Sequence, residues 1–141
     1  MCIRDSIETT RKSCLKYKET PTTIINFVEG TRLSPEKLKK SPFEFLLPPK
    51  AGGIAFTLAA MGEQFDKILN ITLCYPHNNG HIMKDLLAGR LKKIIIHVEQ
   101  VEIDENMIGD YFNDDKFKKS FQKWINDVWT NKNKLIRGYK I

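Results

Sequence analysis

The run Ile24-Ile25-Asn26-Phe27-Val28 is mostly apolar, and it stops abruptly at Glu29-Gly30-Thr31-Arg32. A carboxylate, a hydroxyl and a guanidinium are thereby gathered around one glycine. The planar fork of an arginine suits bidentate binding of a phosphate. Glycine lets the backbone turn sharply and lets a ligand come close. Glu29 can hold Arg32 in place or accept a hydrogen bond from a ligand hydroxyl. In open α/β sheets, ligands collect beyond the carboxyl ends of strands, and these residues fall there if the apolar run is a strand. Spacing alone leaves a second reading open: a strand-end salt bridge beside a turn glycine.

Proton transfer would ask for a histidine, and the chain has three: His77, His81 and His97. His81 and Asp85 are four residues apart, an i,i+4 pair on a helix. His77 falls in a turn-rich stretch and His97 shares a strand face with Glu99. All three read as structural: a loop residue, a helix cap and a strand residue. Cys2, Cys14 and Cys74 form no pattern, which fits free thiols in a reducing compartment. Cys14 and Cys74 read as small core residues. No metal site is expected.

The elements that must position these residues follow from periodicity. Ser6 to Lys18 reads as a helix, opened by an Asp5/Glu8 capping box and closed by Pro21. Thr22 to Val28 is a continuous β-branched run, expected as a strand buried on both faces of a parallel sheet. Gly30 to Pro49 shows no period, and a segment of that length is usually functional or mobile. Lys50 to Phe65 reads as a helix and Ile68 to Tyr75 as a strand. Pro76 to Gly80 is a break, followed by a short helix, Ile82 to Ala88, stopped by Gly89. Lys93 to Ile103 is a third strand, and Asp104 to Phe112 a short helix or turn. From residue 115 to about 137, Phe117, Phe121, Trp124, Ile125, Val128 and Trp129 form one helical stripe.

This order predicts an α/β fold, one domain over residues 1–141 with a partly parallel sheet flanked by helices. Three strands are few for a doubly covered sheet, which suggests that N-terminal strands precede this chain. There is no signal-peptide pattern and no apolar stretch long enough to span a membrane. Net charge is +6, which points to an anionic partner. The last 27 residues hold eight Lys or Arg against two Asp, equal to the whole excess. A basic helix with an aromatic stripe either lies on a membrane surface or packs its stripe on the sheet and leaves its lysines solvated. No nucleic-acid-binding motif accompanies the charge, so nucleic acid is not expected as a partner.

The motif Asn26-Phe27-Val28-Glu29-Gly30-Thr31-Arg32 resembles the third conserved block of the glycerolipid (1-acylglycerol-3-phosphate) acyltransferase family, usually F-P-E-G-T-R, with Val28 in place of the proline. Phe45 to Leu58, "FLLPPKAGGIAFTL", is similar to the following block of the lysocardiolipin-type subgroup. Phe65 to Pro76 resembles that subgroup's next strand, and Ser6 to Cys14 a helix of bacterial members. The resemblance implies transfer of a fatty acyl group from acyl-CoA or acyl carrier protein, as donor substrate, to a lysophospholipid such as lysophosphatidic acid, with no cofactor. It implies that Arg32 meets the acceptor phosphate and that Glu29, Gly30 and Thr31 complete that site. Pro48, Lys50, Gly52 and Gly53 fall where the next block lines the pocket. It further implies a membrane-surface enzyme, in the bacterial case on the cytoplasmic face of the inner membrane.

That family's base is the histidine of an N-H-x-x-x-x-D block upstream of the third block. None of His77, His81 and His97 has an Asp five positions on, and all lie downstream. The expectation is therefore the C-terminal, acceptor-holding part of an acyltransferase domain, inactive alone. The alternative is a lipid- or phosphate-binding module that does no chemistry.

Overall fold

The computed structural model describes residues 9, 12–13, 15–17, 19–77 and 81–140. Most of the helix expected from Ser6 to Lys18, its capping box, Cys2, Cys14 and the end of the Pro76–Gly80 break lie outside that set. The helices are α1 (Pro35–Leu38), α2 (Ala51–Met61), α3 (Ile82–Leu87) and α4 (Asp115–Lys140), and the strands are β1 (Ile68–Cys74) and β2 (Ile95–Val101). Single 3₁₀ turns lie at Gly62–Gln64 and Glu105–Met107.

Helix α4 organises the molecule. The Asp114 carboxylate caps its start, accepting from the N–H groups of Lys116 (2.9 Å) and Phe117 (3.0 Å). Arg137 and Lys140 close its last turn, where cations favour the helix dipole. Phe121, Ile125, Trp129 and Ile136 are buried along one stripe. The small residues Ala51 and Ala55 let α2 approach, so that they and Leu58 form one core with Tyr111, Phe121, Ile125 and Trp129. The expected aromatic stripe thus packs inward. Lys116, Lys119, Lys123 and Lys134 stay exposed, whereas Lys132 is drawn partly inside.

The expected second and third strands are present, but their pairing corrects the expected parallel sheet. β1 and β2 are antiparallel, in register from Ile68↔Val101 to Cys74↔Ile95, and make a two-stranded sheet. Ile68, Asn70, Thr72 and Cys74 alternate toward α4, while Leu69, Ile71 and Leu73 point out beside Ile96 and Val98. A β-branched run looks the same in sequence whether its second face is covered or bare, which is why the strand pattern suggested double burial. The intervening α3 buries no residue, so it does not serve as the covering crossover helix of a parallel pair.

A larger correction concerns Thr22 to Val28. The segment is not a buried strand: it joins no ladder among the described residues, and Ile25 is 76% and Phe27 83% exposed. Its β-branched composition still keeps the backbone unwound up to the turn at Val28-Glu29. Gly30 to Pro49, expected to be without structure, holds α1, started by Ser34 and Pro35. It is also pinned to α4: Phe45 N–H donates to Asn133 Oδ1 (3.0 Å), and Trp129 Nε1–H donates to the Leu47 carbonyl (2.9 Å).

Candidate functional site

The turn after Val28 is closed by Gly30 N–H donating to the Phe27 carbonyl (2.8 Å), and Gly30 has φ +65°, a conformation that favours glycine. Lys50 N–H donates to the Val28 carbonyl (2.8 Å), which ties the entry of α2 to the turn. The Lys50 side chain lies over Gly30: a Cβ there would stand 3.0 Å from Lys50 Cδ and 3.3 Å from Nζ. On the other side, Lys37 Nζ donates to Thr31 Oγ1 (2.6 Å) and to the Arg32 carbonyl (3.3 Å). Helix α1 delivers that lysine, with Ser34 accepting from Lys37 N–H (3.4 Å) and Pro35 in its first turn.

Arg32 is exposed, and among the described residues nothing accepts a hydrogen bond from its guanidinium. The simple strand-end salt bridge is therefore absent, because Glu29 points elsewhere. Its carboxylate accepts from Leu47 N–H (3.2 Å). Burial pushes the Glu29 carboxyl above its ordinary value, while the Leu47 hydrogen bond, the charge of Lys132 and the Trp129 indole pull it back. Burial likewise lowers the Lys132 ammonium, opposed by the charges of Glu29 and Glu99. Lys132 Nζ donates to the Ile71 carbonyl (2.9 Å) and sits 4.8 Å from the centre of the Trp129 ring.

The turn therefore has two sides. Outward, Lys37 stands against Thr31 and Lys50 over Gly30, with the exposed Arg32 on the same turn, a concentration of positive charge suited to an anion with several oxygens. Inward, Glu29, Leu47, Trp129 and Lys132 fasten the turn to α4. Of the other expected pocket residues, Pro48 is exposed just before α2. Gly52 faces the core ring of Tyr111 (3.8 Å from an added Cβ), and Gly53 faces Asn26 Nδ2 (3.4 Å). Gly53 is thus near the segment leading to the turn, and Gly52 is a packing position.

The histidines lie apart from the turn's hydrogen bonds. His77 is exposed beyond β1, and His81 precedes α3 without a side-chain cap bond. The Asp85 carboxylate is taken by Arg90, at 2.9 Å from Nε and 2.8 Å from Nη2. His97 is on β2 opposite Thr72, on the face shared with Glu99. Among the described residues no group of His, Cys, Asp and Glu could hold a metal ion. Cys74 is a buried free thiol, as expected. Sequence reasoning missed Lys37, Leu47, Trp129 and Lys132. Only Lys37 carried a local signal, a cation in a Ser-Pro-started turn just after Arg32.

Curated proteins that this chain resembles include lysophospholipid acyltransferases. It is 24% identical over 138 residues to the 2-acyl-1-lysophosphatidylinositol acyltransferase of Saccharomyces cerevisiae, covering 84% of this chain and 33% of that protein. It is 26% identical over 132 residues to lysocardiolipin acyltransferase 1 of Mus musculus and of Gallus gallus, again covering 84% of this chain and 33% of each. The chain thus spans about a third of the length of the curated relatives it matches. No protein-family model matches it, and no solved structure does.

Proposed function

We propose that these 141 residues are the acceptor-holding part of a lysophospholipid acyltransferase, and that Arg32 binds the acceptor's phosphate. The observation that carries this reading is the exposed Arg32 guanidinium, without a partner among the described residues, on a turn whose Thr31 and Gly30 hold Lys37 and Lys50, while the neighbouring Glu29 is turned inward. The relatives' names, which specify lysophosphatidylinositol and lysocardiolipin, supply the substrate class. Arg32 grips two phosphate oxygens, and Lys37 and Lys50 add charge at either side. The acceptor's free glycerol hydroxyl is thereby held for attack on an acyl thioester of coenzyme A or acyl carrier protein. The new ester C–O bond forms, the C–S bond breaks, and the hydroxyl proton ends on the departing thiol. A histidine base, in the family's N-H-x-x-x-x-D spacing, has to come from outside these residues.

Lysophosphatidic acid binding by the chain tests this. Arg32→Ala should weaken binding about ten- to a hundredfold, since a hydrogen bond to a charged group is worth about 1.5–3 kcal/mol. Arg32→Lys should recover part of it, because an ammonium lacks the fork. Unchanged binding by the alanine variant would sink the reading. The chain alone should transfer no acyl group. Joining it to a segment carrying N-H-x-x-x-x-D should give turnover; binding without turnover in that longer protein would favour the non-enzymatic module instead.

The same reading assigns the exposed lysines of α4 to an anionic membrane surface, in a bacterium the cytoplasmic face of the inner membrane. No helix among the described residues is long and apolar enough to cross a bilayer. Each lysine near such a surface contributes about 1 kcal/mol. Changing Lys116, Lys119 and Lys123 to Gln should lower binding to anionic vesicles at low salt and leave binding to neutral vesicles unchanged.

A further inference from the structure

Between the inner face of the sheet and α4 lies a crevice of about 360 Å³, within the size range of small-molecule sites. Its polar lining includes Thr72, His97, Glu99, Asn131 and Lys132. It is distinct from the cationic turn but reaches its inner side: Lys132, which lines the crevice, sits over the Trp129 ring, and the Trp129 indole holds Leu47, whose N–H donates to Glu29.

Thr72 is the most informative of these residues. It is only 4% exposed, yet no described residue hydrogen-bonds its hydroxyl. No buried side-chain oxygen or nitrogen is left unsatisfied among the described residues, so this hydroxyl must open onto the crevice. The side chains of His97, its cross-strand partner, and Asn131 also have no described hydrogen-bond partner. Glu99 Oε2 accepts from Asn70 Nδ2 (3.1 Å), which fixes that carboxylate and leaves its second oxygen for another donor.

The charges in the crevice balance, and that restricts what can bind. A second anion would meet the Glu99 carboxylate, and a cation would meet the Lys132 ammonium. A bare hydrocarbon chain would strand the Thr72 hydroxyl, the His97 ring and the Asn131 amide without partners. A neutral group with several hydroxyls both donates and accepts, and so can satisfy all of them. Trp124 and Leu135 line the same space and offer apolar surface to its C–H bonds. We propose that the crevice between β1–β2 and α4 binds a neutral polyhydroxyl group. Two sources have this chemistry: a free polyol, and the polyol headgroup of a lysolipid whose phosphate sits at Arg32. The second source rests on the function proposed above.

The test compares myo-inositol, lysophosphatidylinositol and lysophosphatidic acid as ligands of the 141-residue chain, by saturation-transfer NMR and Trp fluorescence. Wild type is compared with Thr72→Val, Glu99→Gln and Arg32→Ala, each checked by circular dichroism. If the crevice takes a headgroup, Thr72→Val and Glu99→Gln weaken lysophosphatidylinositol about five- to tenfold and leave lysophosphatidic acid unchanged, while Arg32→Ala weakens both. If it takes a free polyol, myo-inositol saturates and loses affinity in the two crevice variants, whatever Arg32→Ala does to the lipids. Equal binding of both lysolipids, indifferent to both crevice variants and without a myo-inositol signal, would overturn the proposal. Failure at Arg32 alone would count only against the acceptor-phosphate reading. Glu99→Gln keeps an acceptor for Asn70, so it stays informative if Thr72→Val fails to fold.

Discussion

At the scale of single residues, Glu29 and Arg32 do opposite jobs although they are three positions apart. The backbone turn with Gly30 at positive φ separates them, sending the guanidinium to solvent and the carboxylate toward Leu47 N–H. Glu29→Ala removes the only described acceptor of that N–H and should cost about 1–3 kcal/mol, measured by urea unfolding. Glu29→Gln keeps an acceptor oxygen and should cost much less. The two variants should also differ from wild type in pH dependence. Burial raises the Glu29 carboxyl, so its favourable contribution is fully present below the ordinary carboxylate value of 4.5 and is lost as pH rises through the raised folded value. Glu29→Gln does not titrate, so its stability relative to wild type should improve across that rise and level off above it. Lys132 runs the other way: its ammonium is lowered by burial, so its cost is felt below the folded value and is relieved as pH rises through it. A wild-type–Gln difference that stays flat from pH 3 to 7 would show that folding does not raise the Glu29 carboxyl.

At the scale of elements, the loop from Ser41 to Leu47 and helix α4 act as one unit. Trp129 Nε1–H and Asn133 Oδ1 bind the loop backbone at Leu47 and Phe45, and Glu29 takes Leu47 from the other side. Trp129→Phe keeps most of the buried ring but leaves the Leu47 carbonyl without its donor. The expected loss is about 1–3 kcal/mol, with faster amide exchange at Phe45 and Leu47. Unchanged exchange there would show that the loop stands without α4. These ties explain what was legible in the sequence. The helices at 51–61, 82–87 and 115–140 and the strands at 68–74 and 95–101 were readable because each has its own period and its own stops, such as Gly89 at φ +67°. The turn at Gly30 was readable because a glycine that ends an apolar run is a local signal. The anchoring of the loop by residues 82 and 88 positions away, and the placement of Lys132 under the sheet, carry no local signal. The buried strand expected at Thr22 to Val28 failed for a related reason: composition makes a segment extended, but a ladder requires a neighbour.

At the scale of the whole molecule, the apolar surface left bare is large for a two-stranded sheet, which is marginal by itself. Leu69, Ile71 and Leu73 are 50–56% exposed on the outer face of β1. Ile71 pairs with Val98 and Leu73 with Ile96, so the strip is continuous across both strands. The Ile24-to-Phe27 segment adds exposed side chains and a backbone that joins no ladder among the described residues, a template for pairing with another chain. Fully burying an aliphatic side chain is worth about 1.5–3 kcal/mol, and these side chains are already about half buried, so it takes the whole strip, covered on two copies at once, to match an association cost of about 4–15 kcal/mol. The nearest cover for the purified chain is a second copy of itself. The 141 residues should therefore self-associate and bind a fluorescent hydrophobic dye. Ile71→Lys combined with Val98→Glu should raise the association midpoint at least tenfold in concentration while the inner face, with Thr72 and Cys74 packed toward α4, keeps its fold. Sedimentation velocity over a concentration series measures this. A chain that stays monomeric at high concentration, with no response to the double substitution, would mean that the outer face is not sticky and that cover from elsewhere is not what it lacks.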